Sequence, residues 1–191
     1  MKRIALIAGL LALAAPFSFA QASTWVSDQA HSEVGFSLSH LSISTVRGRF
    51  GKVNATVVYD QAHIAKSSVK ATIDVNSVQT GEEGRDKHLK TADFFDTASF
   101  PTATFESTSV AKSANGLTVH GNLTLHGITK PVTLTVIGPK GPVEGMDHKQ
   151  HAGFEATTTI SRTAFGIGNK FPAAVVGDEV KLNLDLDVAK Q

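Results

Sequence analysis

The strongest constraint on this chain is a period of two. Near its end, Val180, Leu182, Leu184, Leu186 and Val188 alternate with Lys181, Asn183, Asp185 and Asp187. Successive side chains of a β-strand point to opposite faces, so this spacing puts the apolar groups on one face and the polar ones on the other. The pattern recurs. Val34, Phe36 and Leu38 alternate with Glu33, Ser37 and Ser39; Val53, Ala55, Val57 and Tyr59 share a parity, as do Val69, Ala71, Ile73 and Val75. Leu117, Val119, Leu123 and Leu125 alternate with Thr118, His120, Asn122 and Thr124, followed by Val132, Leu134 and Val136, then Phe154, Ala156 and Ile160. Turn signals at Asn115-Gly116, Gly138-Pro139, Gly141-Pro142 and Gly177-Asp178 separate the runs. About eight strands with one wet face predict an all-β fold, an antiparallel barrel or sandwich.

The outward parity carries Lys, Asp, Asn and Thr. An outer-membrane barrel needs an apolar exterior bounded by aromatic girdles, and this chain has one Trp and one Tyr. A water-facing exterior fits the sequence better. Periodicity alone does not separate a filled core from a hollow lumen, because both require an apolar inner face.

The first residues read as a secretory leader rather than as part of the fold. Lys2 and Arg3 precede the apolar run Ile4 to Ala15, and Ala20-Gln21-Ala22 supplies a small-x-small cleavage pattern. Residues 1–22 are therefore expected to be a signal peptide, and residues 23–191 a single domain. Loss of Lys2 and Arg3 takes the net charge from +1 to −1. No basic run follows that would track a phosphate backbone, so nucleic acid is not an expected partner. With no cysteine, thiolate metal sites and thiol catalysis are excluded.

From Gly81 to Pro101 the alternation stops. Acidic residues near the start of Glu82 to Ala92 favour a short helix, with Leu89, Ala92 and Phe94 or Phe95 as its apolar stripe. Phe100-Pro101 then turns the chain into a strand from Thr102 to Val110. The four rings Phe94, Phe95, Phe100 and Phe105 either plug one barrel end or line a channel. A second irregular stretch, Gly166 to Gly177, is either part of a mouth or a long surface connection.

Chemistry-bearing motifs are sparse. His120 and His126 lie six residues apart, roughly 20 Å along a strand, too far to share an ion without a bend. His148 and His151 sit in a loop bounded by Gly and Pro. There is no HExxH and no Gly-x-Ser-x-Gly, and Ser67-x-x-Lys70 lacks the elements that accompany such a nucleophile. No catalytic residue and no metal ligand is expected. A small secreted hydrolase stays open only because triads assemble in space, and a ligand-free structural or stress-response protein is the other alternative.

Five blocks carry a resemblance. They are HSEVGFSLSH (His31 to His40), RDKHLKTADFFDTASFPTATF (Arg85 to Phe105), GNLTLHGITKPV (Gly121 to Val132), ISRTAFGI (Ile160 to Ile167) and GDEVKLNLDLD (Gly177 to Asp187). In this order they resemble the YceI-like family, soluble periplasmic barrels that bind lipids and polyisoprenoids. The resemblance implies a lipocalin-like antiparallel barrel of about eight strands, with a short helix in the 81–101 connection and a lumen holding a long apolar tail. The expected ligand is an isoprenoid lipid, either a polyprenyl phosphate or a quinone, bound without a cofactor and exchanged through transient membrane contact. The expected lumen residues are Phe36, Leu38, Phe50, Phe94, Phe95 and Phe100, with Phe105, Leu123, Leu125, Phe154, Phe165 and Leu184. Arg162, Arg85 and His88 are the expected head-group contacts, with the alternative that Arg162 and Arg85 tie the link to the barrel. Monomer and homodimer both stay open.

Overall fold

A computed structural model describes residues 22–191; the expected leader lies outside the described residues except for Ala22. The alternating runs form strands β1 (Ser23–Ser27), β2 (Glu33–His40), β3 (Ser44–Phe50), β4 (Val53–Tyr59) and β5 (Ser68–Asp74). After the two-residue β6 (Val78–Gln79) and helix α1 (Glu83–Leu89) come β7 (Thr102–Ser113), β8 (Gly116–Leu125), β9 (Ile128–Glu144), β10 (Gln150–Ser161) and β11 (Glu179–Lys190).

Eight of these strands close on themselves in the order β1-β4-β5-β7-β8-β9-β10-β11, with β11 pairing back onto β1, and every pairing is antiparallel. The fold is a closed antiparallel barrel with one short helix. Closure leaves the ring without a free edge along most of its height. Strand β11 is flanked on its far side by two strands in succession. Its first half pairs with β2, from Lys181 opposite Ser37 to Asp185 opposite Glu33. Its last residues pair with β1, Val188 opposite Ser27 and Lys190 opposite Trp25. The step between β1 and β2 is held by the Asp28 N–H donating to the Asp187 carbonyl (2.8 Å) and the Ser32 hydroxyl donating to the same oxygen (3.1 Å). Strands β3 and β6 extend the wall beyond β2.

Inward residues follow the expected parity. Val34, Phe36, Val53, Ala55, Leu117, Val119, Leu123, Phe154 and Ala156 are all buried. Phe36 pairs with Gly48 across β2 and β3, and a side chain at Gly48 would run into the Phe36 ring. Glycine there is what lets the ring lie flat against the neighbouring strand.

The structure corrects one turn. Gly138-Pro139 and Gly141-Pro142 do not separate strands; both fall inside the seventeen-residue β9. The register with β10 shifts twice beside them, between His151 and Gly153 and between Gly153 and Glu155. Gly138 and Gly141 take positive φ (131° and 99°). Bulges of this kind accommodate a proline that has no ladder donor, so the strand bends and continues.

Candidate functional site

The inward face of β11 shows that the barrel is not filled. Leu182, Leu184 and Leu186 point inward, yet each is only partly buried, whereas Val188 further down the same face has no exposure. Surface retained by an inward residue is surface facing a void. Two cavities account for it. The larger, about 330 Å³, occupies the barrel end formed by the tips of β2, β3 and β8 together with the two irregular connections. The smaller, about 110 Å³, lies deeper, between β4, β5, β7, β8, β9, β10 and β11. The larger volume alone falls within the range of small-molecule sites, roughly 300–1,000 Å³.

Most of the expected lumen residues are placed there. Phe36, Leu38, Phe50, Phe94, Phe95 and Leu125 line the larger cavity. Phe105, Phe154 and Leu184 line the smaller one, and Leu123 lines both. Two expectations are corrected. Phe100 lies on neither cavity; its ring packs edge-on against His126 (centroids 4.6 Å apart) and over Gly127. Phe100 closes the turn that precedes β7, its N–H donating to the Asp96 carbonyl (2.8 Å). Phe165 is almost fully buried within the connection after β10 and lines neither of the two lumen cavities.

That connection is organised by Arg162. The side chain is 3 % exposed, and a guanidinium has five N–H donors. All are taken by backbone carbonyls. Nε donates to Gly177 (3.1 Å), Nη1 to Ile167 (2.9 Å) and Gly168 (2.6 Å), and Nη2 to Phe171 (2.7 Å) and Val176 (2.7 Å). Residues 166–177 are thus wound around one cation. Gly168, at φ +63°, brings its carbonyl close to Arg162 and has the Phe94 ring against its Cα, where a Cβ would collide. Burial pulls the Arg162 pKa below the ordinary guanidinium value, while the Asp178 charge acts in the opposite sense. The head-group expectation for Arg162 is therefore corrected: its polar edge is spent on the fold, with no donor left for a ligand oxygen. The alternative of a structural tie holds, but to residues 167–177 rather than to the 81–101 link; sequence does not single out which carbonyls an arginine takes, because acceptors exist at every position. The stretch read as either mouth or surface connection is a mouth, and Ile167, Phe171 and Val176 face the larger cavity.

The 81–101 link closes the same end from the other side. Glu82 caps α1, its carboxylate accepting from the Gly84 N–H (3.0 Å) and from Arg85 N–H. These two backbone bonds hold its pKa below the usual range. Arg85 donates from Nε to the Thr80 hydroxyl (2.7 Å) and from Nη2 to the Thr80 carbonyl (3.0 Å), which commits two donors and leaves the others for solvent or a ligand. Arg85 and His88 both border the larger cavity.

The two connections are fastened together. Phe94 stacks on Phe171 (centroids 4.9 Å, planes 11° apart), and His88 meets Phe94 edge-on at 5.1 Å. Asp93 pairs with Lys170 at 2.5 Å and with His88 Nε2 at 2.9 Å. Lys170 and His88 together hold the Asp93 carboxyl below its ordinary pKa. The outer end of the cavity reaches the exposed residues Ser39 and Val175. The site is an apolar chamber with a few polar groups at one rim. That arrangement suits holding a greasy chain in place by non-covalent contact.

Known proteins agree with this geometry. A UPF0312 protein of Vibrio cholerae is 41% identical over 174 residues, covering 87% of this chain and 89% of its own. A UPF0312 protein of Pseudomonas aeruginosa is 37% identical over 163 residues, 84% of this chain and 83% of its own. Among solved structures, Burkholderia cenocepacia BcnA superposes with a TM-score of 0.72 at 30% identity, over 84% of this chain and 98% of that one. A polyisoprenoid binding domain from Saccharophagus degradans shares the fold at a TM-score of 0.63 and 18% identity, over 90% of this chain and 100% of that one. The model of the YceI-like domain matches residues 25–188, nearly the whole barrel from β1 to β11, and the chain belongs to the YceI-like family.

Proposed function

We propose that this protein binds the tail of an isoprenoid lipid, a polyprenyl phosphate or a quinone, in its barrel lumen, and carries or stores it in the periplasm. The observation that carries the reading is the lumen itself: inward leucines of β11 that keep accessible surface around two apolar cavities. The likeness of fold to a polyisoprenoid binding domain supports it. The leader-like residues 1–22 support export.

Binding is non-covalent. Each methylene leaving water gains about 0.8 kcal/mol, so a long tail nominally exceeds the practical affinity ceiling of roughly 18–21 kcal/mol. The competitor that matters is the bilayer, where the tail is already dry. The lumen needs only to match the membrane, and a near match lets the tail load and unload. Arg85 and His88 at the rim are the groups available to a phosphate or carbonyl oxygen.

Mass spectrometry of organic extracts from the purified protein tests this reading. One isoprenoid at near-equal stoichiometry is the expected result. A lumen that neither retains nor takes up any isoprenoid would sink it.

A further inference from the structure

The two cavities have a common boundary. Val34, Ile73, Leu123 and Leu182 line both of them. They come from two parts of the wall, the neighbouring strands β2 and β11 and, across the lumen, β5 and β8 on either side of β7. Val34, Ile73 and Leu123 are buried, and Leu182 keeps part of its surface. Leu123 has Phe105 beside it on the neighbouring strand, and Phe105 lines the smaller cavity. A chain entering from the rim meets the larger chamber first. It reaches the smaller one only by passing these four side chains.

We infer that Val34, Ile73, Leu123 and Leu182 form a neck that sets the tail length this lumen prefers, an inference that rests on the isoprenoid reading above. The polar groups that can hold a head group, Arg85 and His88, sit on the larger chamber only. A lipid anchored there points its tail at the neck. Short tails end inside the first chamber, at about 330 Å³, and need not pass the neck. Longer tails must thread it to bury their last units in the second chamber, which adds about 110 Å³ lined almost wholly by apolar side chains. The extra burial rewards length only while the neck is passable. Val34 and Ile73 branch at Cβ and are stiff, whereas Leu123 and Leu182 can change rotamer, so the leucines are the pair that opens the neck without backbone movement.

The test titrates the full chain with geraniol, farnesol, geranylgeraniol and solanesol in one detergent, bound fractions being read by native mass spectrometry. Wild type is expected to bind the longer alcohols more tightly than geraniol. In Leu123→Trp the neck is blocked: binding of geranylgeraniol and solanesol falls at least ten times further than binding of geraniol. Leu182→Phe, from the opposite side of the neck, should give the same selective loss and serves if Leu123→Trp does not fold. Loss of equal size at every tail length in a folded variant, or no change at any length, overturns the neck and leaves the isoprenoid reading standing. Failure of all four alcohols to bind wild type overturns the isoprenoid reading and the neck with it.

Discussion

Two loops of this protein are each tied to the barrel by one cationic side chain, and the ties are built differently. Arg162 holds residues 166–177 at the cavity end through five carbonyl oxygens, almost out of contact with water. His151 holds the β9–β10 hairpin on the outer wall, with Nδ1 at 2.7 Å from Asp187 and Nε2 at 3.1 Å from Asp147. The first uses a group that stays charged at any physiological pH and neutral acceptors that do not titrate. The second rests on an imidazole, whose charge depends on pH. The lesson is that the Arg162 tie at the mouth of the lumen is secured against pH, whereas the His151 tie at the far hairpin holds fully only within a window.

Removing Arg162 should have the largest effect. Arg162→Met leaves five carbonyls of residues 167–177 without their donor, in a place water reaches poorly. Denaturant unfolding should show a loss above about 3 kcal/mol. Arg162→Lys keeps the charge but not the fork, and should fall between wild type and Met. A lysine variant as stable as wild type would show that charge, not the planar array of donors, secures the mouth.

Next in size is Phe94→Ala. Phe94 stacks on Phe171, which belongs to the Arg162-bound stretch. Truncation should cost about 2–4 kcal/mol, somewhat below the usual range for a fully packed Phe because one face already borders a cavity. It should also speed lipid transfer to vesicles. Unchanged transfer at lowered stability would mean that the stacked rings hold the fold without controlling access.

The smallest effect belongs to the hairpin, and it depends on pH. Hydrogen bonds to Asp187 and then Asp147 raise the His151 pKa above its ordinary 6.5. A raised folded value means that its stabilisation is complete below the unfolded value and disappears as pH climbs through the folded one. Asp147 behaves oppositely. Its pKa is lowered, chiefly by the Lys149 N–H, so its contribution is present above the unfolded carboxylate value and disappears as pH falls through the folded one. The melting-temperature gap between wild type and His151→Gln should therefore be widest at mildly acidic pH and close in alkaline buffer. A gap independent of pH would remove the contrast with Arg162.

How much of this was legible in the sequence follows from the same contrast. Period-two alternation specifies which side chains face inward, and Val34, Leu123, Leu182 and Leu184 could all be placed from it. It carries no information on how far apart opposite walls stand, so neither the void nor its division into two chambers was readable. The Phe-rich link was recognisable by composition, but Phe100 and Phe94 look alike in sequence and part company only because the chain turns between them. A tying role for Arg162 was readable as an alternative, but its partners were not, because they are backbone atoms. Gly138-Pro139 misled for a related reason, since the signature of a turn and of a bulge is the same pair of residues.

Closure of the ring has a consequence for the order of assembly. The fastening is β1 against Val188, Ala189 and Lys190, which joins one of the earliest strands to the last. Until β11 emerges from the ribosome, the hoop cannot shut, and the nascent sheet keeps unpaired margins able to recruit other chains. Completion is thus a late, all-or-none event, and a helper that shields those margins during synthesis or export would matter more to yield than any single core contact.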